Sequence, residues 1–97
     1  MLEKQSFLSE HAGNVDEWKE KIDKLQDIVD QSTNALERQG ENRRRVFGLR
    51  FKLKDVEQSL VEAKFASSED LAAIGQQLQK TWQEIHKGYD AVVSNLD

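Results

Sequence analysis

The sequence predicts an all-α fold: an antiparallel up-down-up three-helix bundle with coiled-coil-like packing. Three observations carry the prediction. Apolar residues recur at steps of three and four along most of the chain, the spacing that keeps side chains on one face of a helix. The 97 residues include no proline, so nothing interrupts the backbone hydrogen-bond ladder of a long helix. The pattern breaks near residues 39–42 and again before Ser67 and Ser68, which divides the chain into three amphipathic segments.

The first segment, about residues 3–38, places Val15, Trp18, Ile22, Leu25, Val29 and Leu36 on one stripe. Asn14 suits an N-cap, with Glu17 at capping-box spacing. Upstream, Phe7, Leu8 and His11 keep the same phase across Gly13, so a continuous helix is expected in preference to one hinged at that glycine, whose cost is about 1 kcal/mol. The pattern fades at Ser32, Thr33 and Asn34. Gly40 is expected to end the helix and Asn42 to cap the next. A helix running on through Gly40 is the competing reading, and a long helical hairpin that dimerises is the alternative architecture.

The second segment, residues 43–65, carries Val46, Leu49, Leu53, Val56, Leu60 and Ala63 at steps of 3, 4, 3, 4 and 3. Phe47, Leu49, Phe51 and Leu53 also alternate in the manner of a strand, but only briefly and with no hairpin partner, so the helix prevails. The same helix has a second apolar face: Phe47, Phe51, Val61 and Phe65 lie nearly opposite the first stripe. The third segment, 69–96, starts at Ser67 and Asp70 in capping-box spacing. Its Leu71, Ile74, Leu78, Trp82, Ile85, Tyr89, Val92 and Leu96 form a stripe about 80° wide. Gly75 at the stripe's edge suits close helix approach, whereas Gly88 has no evident packing reason.

Residues 1–97 are read as a single helical-bundle domain, too short to hold separate substrate and cofactor domains. In helix number and length the pattern resembles a spectrin-type repeat. Those repeats characteristically bury a tryptophan in the first helix and often another in the third, and Trp18 and Trp82 occupy the matching positions. The resemblance implies a spectrin-repeat-like architecture.

Charge is unevenly placed. Residues 1–42 carry a net −5, residues 43–54 a net +6 without one acidic side chain, and residues 55–97 a net −5. The chain is an acidic body with a basic belt at Arg43, Arg44, Arg45, Arg50, Lys52 and Lys54. Arg43, Arg50 and Lys54 share a face with Phe47 and Phe51. Arginines beside aromatic rings can stack bases and neutralise phosphates. However, three cations on one face within an acidic body make a weak, salt-sensitive nucleic-acid site. Exposed phenylalanines rimmed by arginines fit a protein interface better.

Chemistry finds little else. The absence of cysteine excludes disulfides, zinc–thiolate sites and thiol catalysis. His86 and Asp90, one helical turn apart, are two ligands at most and make no metal site; His11 reads as a core-edge residue. No glycine-rich phosphate cradle or catalytic constellation is present, so no enzyme activity, cofactor, metal or small-molecule substrate is expected. Nor is there a secretory signal or an 18-residue apolar run, and Met1 fits a natural start, so a soluble cytoplasmic protein without a membrane span is expected. The expected function is that of a non-catalytic helical interaction or scaffold module. It self-associates as a homo-oligomer or binds a protein partner through Arg43, Phe47, Arg50, Phe51 and Lys54. The alternative is nucleic-acid or acidic-ligand binding through the belt 43–54.

Overall fold

Phe7, Val15, Trp18, Ile22, Leu25 and Val29 turn inward from one uninterrupted helix, α1 (Lys4–Asp30). In the computed structural model, which describes residues 4–32 and 36–96, α1 is followed by α2 (Leu36–Ala63) and α3 (Ser68–Ser94). There is no strand among the described residues. The helix passes Gly13 because the stripe keeps its phase there, and Asn14 lies inside it and not at its cap. Glu3, Thr33 and Asn34, where the start of the first helix and part of its fading were placed, lie outside the described residues.

The first break is not where glycine pointed. α1 ends at Asp30 and not near 38, and α2 begins at Leu36 and not at Arg43. Gly40 and Asn42 are therefore interior residues of α2. The extra two turns have a physical return. Gln39 Nε2 donates to the carbonyl oxygens of Val29 and Asp30 at 3.2 and 3.3 Å, satisfying acceptors that a helix C-terminus leaves open. Arg43 Nε, one turn on, donates to Asp30 Oδ1 at 2.9 Å. Together these contacts outweigh the modest helical cost of one glycine. Leu36, expected on the core stripe of the first helix, instead starts α2 and is exposed.

The second break lies where its caps are. Ser67 is the N-cap of α3, with extended backbone, and its Oγ accepts from the Asp70 N–H at 3.2 Å. The predicted bounds of 43–65 and 69–96 become Leu36–Ala63 and Ser68–Ser94, and Phe65 falls in the connecting turn.

α2 packs against both other helices. Contacts at the ends give the direction of each. Lys4 Nζ donates to the Lys64 and Ala66 carbonyls, Arg43 meets Asp30, and Asn95 meets Asn42. The path is thus up, down and up, in a rod of 50 × 18 × 17 Å. One core runs its length, and burial of each Val, Leu or Ile contributes about 1.5–3 kcal/mol.

Between α1 and α3 the seam is aromatic. Phe7 contacts His11 at a ring separation of 4.6 Å, and His11 lies parallel to Trp82 at 6.4 Å. Further along, buried Trp18 meets His86 and Tyr89 edge-on at 4.8 and 5.3 Å. Gly75 accommodates Phe7: a Cβ there would sit 3.4 Å from the ring. Gly88 does have a packing reason. A Cβ at that position would stand 2.7 Å from Leu49 Cδ2, so the glycine lets α3 close on the α2 stripe.

Asn42 is the one polar residue among the buried ones described. It lies one helical turn before Val46 and so extends the core stripe of α2 towards its N-terminus. Asn95 Nδ2 donates to its Oδ1 at 3.0 Å, while Asn42 Nδ2 has no partner.

Candidate interaction surface

The core stripe of α2 takes one side of the helix, which leaves Phe47 and Phe51 facing away from the bundle. Both keep more than half of their surface in solvent, at 63% and 59%. They are i and i+4 on the helix and contact each other edge to face, with ring centroids 5.3 Å apart and planes at 65°. With Arg50 and Lys54 they line a shallow recess of about 180 Å³. Four of the five predicted site residues are thus gathered at one place. Arg43 is not; it lies two turns before Arg50 and is engaged by Asp30.

The basic belt divides by partner. Arg43 pairs with Asp30 and Arg50 with Asp23 of α1, each at 2.9 Å. Lys52 reaches Glu84 of α3 at 3.0 Å, and Arg45 pairs with Glu41 one turn back at 2.8 Å. Arg44 and Lys54 make no ion pair with a described residue. Three of the six belt cations therefore clamp α2 to the acidic helices beside it, and a fourth pairs within α2. Each exposed pair contributes only about 0–1 kcal/mol, but together they consume most of the positive charge.

Val61 and Phe65 continue the exposed apolar surface towards the far end of the rod. Phe65, in the turn after α2, is 86% exposed. Near Val61 a second recess, of about 280 Å³, lies between α1 and α2, floored by Leu8, Val15 and Leu60. Across it Lys19 Nζ pairs with Glu57 Oε1 at 2.6 Å, and that carboxylate raises the lysine above its ordinary pKa. A third recess, bordered by Lys19, Glu57, Leu53, Arg50 and Lys54, lies between the other two. The α1 wall of the recess near Val61 and the Lys19 border of the third escaped sequence reasoning, because they depend on how two helices are rotated against each other.

The histidines take structural positions. His11, half-buried, accepts a hydrogen bond from Trp82 Nε1, and burial holds its pKa below the ordinary 6.5 despite the nearby Glu10 carboxylate. His86 is exposed against the edge of Trp18. Among the described residues no group of three His, Cys, Asp or Glu side chains is placed to hold a metal ion. No helix among them is long and apolar enough to cross a membrane.

Compared with protein families, with curated proteins and with solved structures, the chain matches none of them.

Proposed function

We propose that this chain is a non-catalytic, cytoplasmic helical interaction or scaffold module that self-associates or binds a protein partner through the outer face of α2. The observation that carries this reading is the Phe47–Phe51 pair, two large rings packed on each other and on nothing else in the core. Leaving both in water forgoes burial worth about 1.5–3 kcal/mol per ring. Arginine and aromatic residues are the types enriched at interface centres. The architecture proposed is spectrin-repeat-like with coiled-coil packing, supported by Trp18 buried in α1 and Trp82 half-buried in α3. The dimerising long hairpin has less support, since α3 fills the seam that a second hairpin would need.

Sedimentation velocity over a concentration series tests self-association. The wild type is expected to grow with concentration, and Phe47→Asp with Phe51→Asp to remain monomeric. A strict monomer indifferent to both substitutions would sink that form of the proposal.

Nucleic-acid or acidic-ligand binding through residues 43–54 is the second reading. It is weakened by the four belt cations already paired within the molecule. A gel shift at low salt that Arg44→Glu and Lys54→Glu abolish would favour it; no shift even at low salt would dismiss it.

A further inference from the structure

The core takes one stripe of α2, and a second stripe of the same period is left in water. Phe47, Phe51, Lys54, Gln58, Val61 and Phe65 follow one another at steps of 4, 3, 4, 3 and 4, the heptad spacing of a coiled-coil seam. All six are exposed. They lie five residues beyond the core positions from Asn42 to Leu60, which is about 140° around the helix. Phe65 stands in the turn after α2, where its N–H donates to the Glu62 carbonyl at 3.1 Å and prolongs the last turn. From Phe47 to Phe65 the stripe is about 27 Å long.

The stripe reads alike in both directions: two apolar residues, two polar, two apolar. An antiparallel copy, related by a two-fold axis level with Val56, sets Phe47 on the partner's Phe65 and Phe51 on the partner's Val61. Lys54 then meets the partner's Gln58, so every position finds a counterpart of its own polarity. That self-complementarity is what a two-fold contact requires. Charge sets the direction. Arg44 and Lys54, the belt cations without an ion pair, lie towards the start of the stripe. Residues 55–70 hold five acidic side chains against Lys64, and Asp55, Glu62, Glu69 and Asp70 make no ion pair with a described residue. Antiparallel packing lays the basic half on the acidic half, whereas parallel packing stacks Arg44 and Lys54 on their own counterparts. Two like-charge approaches remain, Asp55 to its counterpart near the axis and Arg50, held by Asp23, to the partner's Lys64; they keep the contact a modest one.

Resting on the proposed interaction role of this face, we propose that its occupant is a second copy of the chain, packed antiparallel along the outer stripe of α2. The two ends of the stripe are apolar anchors, each a phenylalanine pair from one subunit on Val61 and Phe65 of the other. The polar middle, Lys54 and Gln58, fixes the register and holds the affinity down.

The chain has no cysteine, so single cysteines report which residues meet. In the antiparallel arrangement Gly48 lies beside the partner's Glu62, on the same flank of the seam. A Cβ at Gly48 meets nothing within 4 Å and Glu62 is exposed, so Gly48→Cys and Glu62→Cys are expected to fold, which circular dichroism checks. Mixed and oxidised with diamide, the two variants are expected to give a disulfide-linked heterodimer, while each alone stays unlinked because like positions stand about 21 Å apart. Phe47→Asp with Phe51→Asp in both chains is expected to abolish the link, and Val61→Asp to abolish it as fully. Linkage of either variant with itself, or none in the mixture, overturns the inference. Sedimentation of the wild type beside the Phe47→Asp, Phe51→Asp variant separates the two levels. Association lost in that variant, without the mixed disulfide, overturns the antiparallel seam and leaves self-association through this face standing. A wild type that is monomeric at every concentration overturns the second copy as occupant and leaves only the protein-partner form of the interaction role.

Discussion

Trp82 Nε1 donates a hydrogen bond to His11 Nδ1 across 3.0 Å, joining α3 to α1 within their aromatic seam. The bond requires His11 to be unprotonated at Nδ1, since a protonated imidazole carries hydrogen on both nitrogens. Burial already favours that neutral form, which is why the imidazole titrates below 6.5.

The sign of the pH dependence follows. Above pH 6.5 His11 is neutral both folded and unfolded, and its contribution to stability is complete. Below 6.5 the unfolded chain takes up the proton first, and stability falls until the folded histidine titrates as well. Urea denaturation at pH 7.5 and pH 5 is therefore expected to show an acid loss in the wild type that is smaller in His11→Phe. The Trp82–His11 bond itself accounts for about 0.5–1.5 kcal/mol. An identical acid loss in both proteins would contradict the assignment.

A second prediction concerns the glycines. A Cβ at Gly13 or Gly40 meets nothing within 4 Å, so Gly13→Ala is expected to stabilise the chain by about 1 kcal/mol through helix propensity alone. Gly88→Ala gains the same propensity but drives a methyl against Leu49, which is itself buried, and overpacking costs about 1–3 kcal/mol. Thermal melts should rise for Gly13→Ala and stay level or fall for Gly88→Ala. A rise of equal size in both would mean that the approach of α3 to Leu49 is looser than described.

The third prediction uses the buried asparagine. Asn95→Ala removes the partner of Asn42 Oδ1 and leaves both polar ends of a fully buried amide unsatisfied, at a cost of about 1–3 kcal/mol. Asn42→Leu removes the orphaned donor and extends the apolar stripe, so it is expected to stabilise. Buried asparagines in helical cores can set register at a cost in stability, and Asn42→Leu would then also broaden the amide spectrum of the bundle. Denaturant midpoints and a two-dimensional amide spectrum check both effects.

These residues mark how far the sequence could be read. The stripes from Val15 to Val29, Val46 to Ala63 and Leu71 to Leu96 declare themselves, because helical period and burial are local properties of the chain. Ser67 and Asp70 do likewise, since capping is decided within four residues. Asn42 misled, because its type suits a cap while its phase suits the core, and only the contact with Asn95 decides between them. Gly40 misled for the same reason: what keeps the helix intact there is Gln39 and Arg43 reaching the end of α1. Gly88 and the α1 wall of the recess near Val61 depend on helix rotation, which no single stripe encodes. Of the surface, the Phe47–Phe51 face was readable by subtraction, as the apolar residues that no stripe required.

The remaining prediction is the central one, that this face is where the protein meets a partner. The most direct measurement is size-exclusion chromatography of the tagged chain in extract from its native host, wild type against Phe47→Asp with Phe51→Asp. The wild type is expected to elute in an assembly well above its 11.2 kDa, whether with copies of itself or with another protein, and the double variant to elute as a folded monomer. Co-elution of the two at the same volume, assembled or monomeric, would contradict the assignment of this face as the interface.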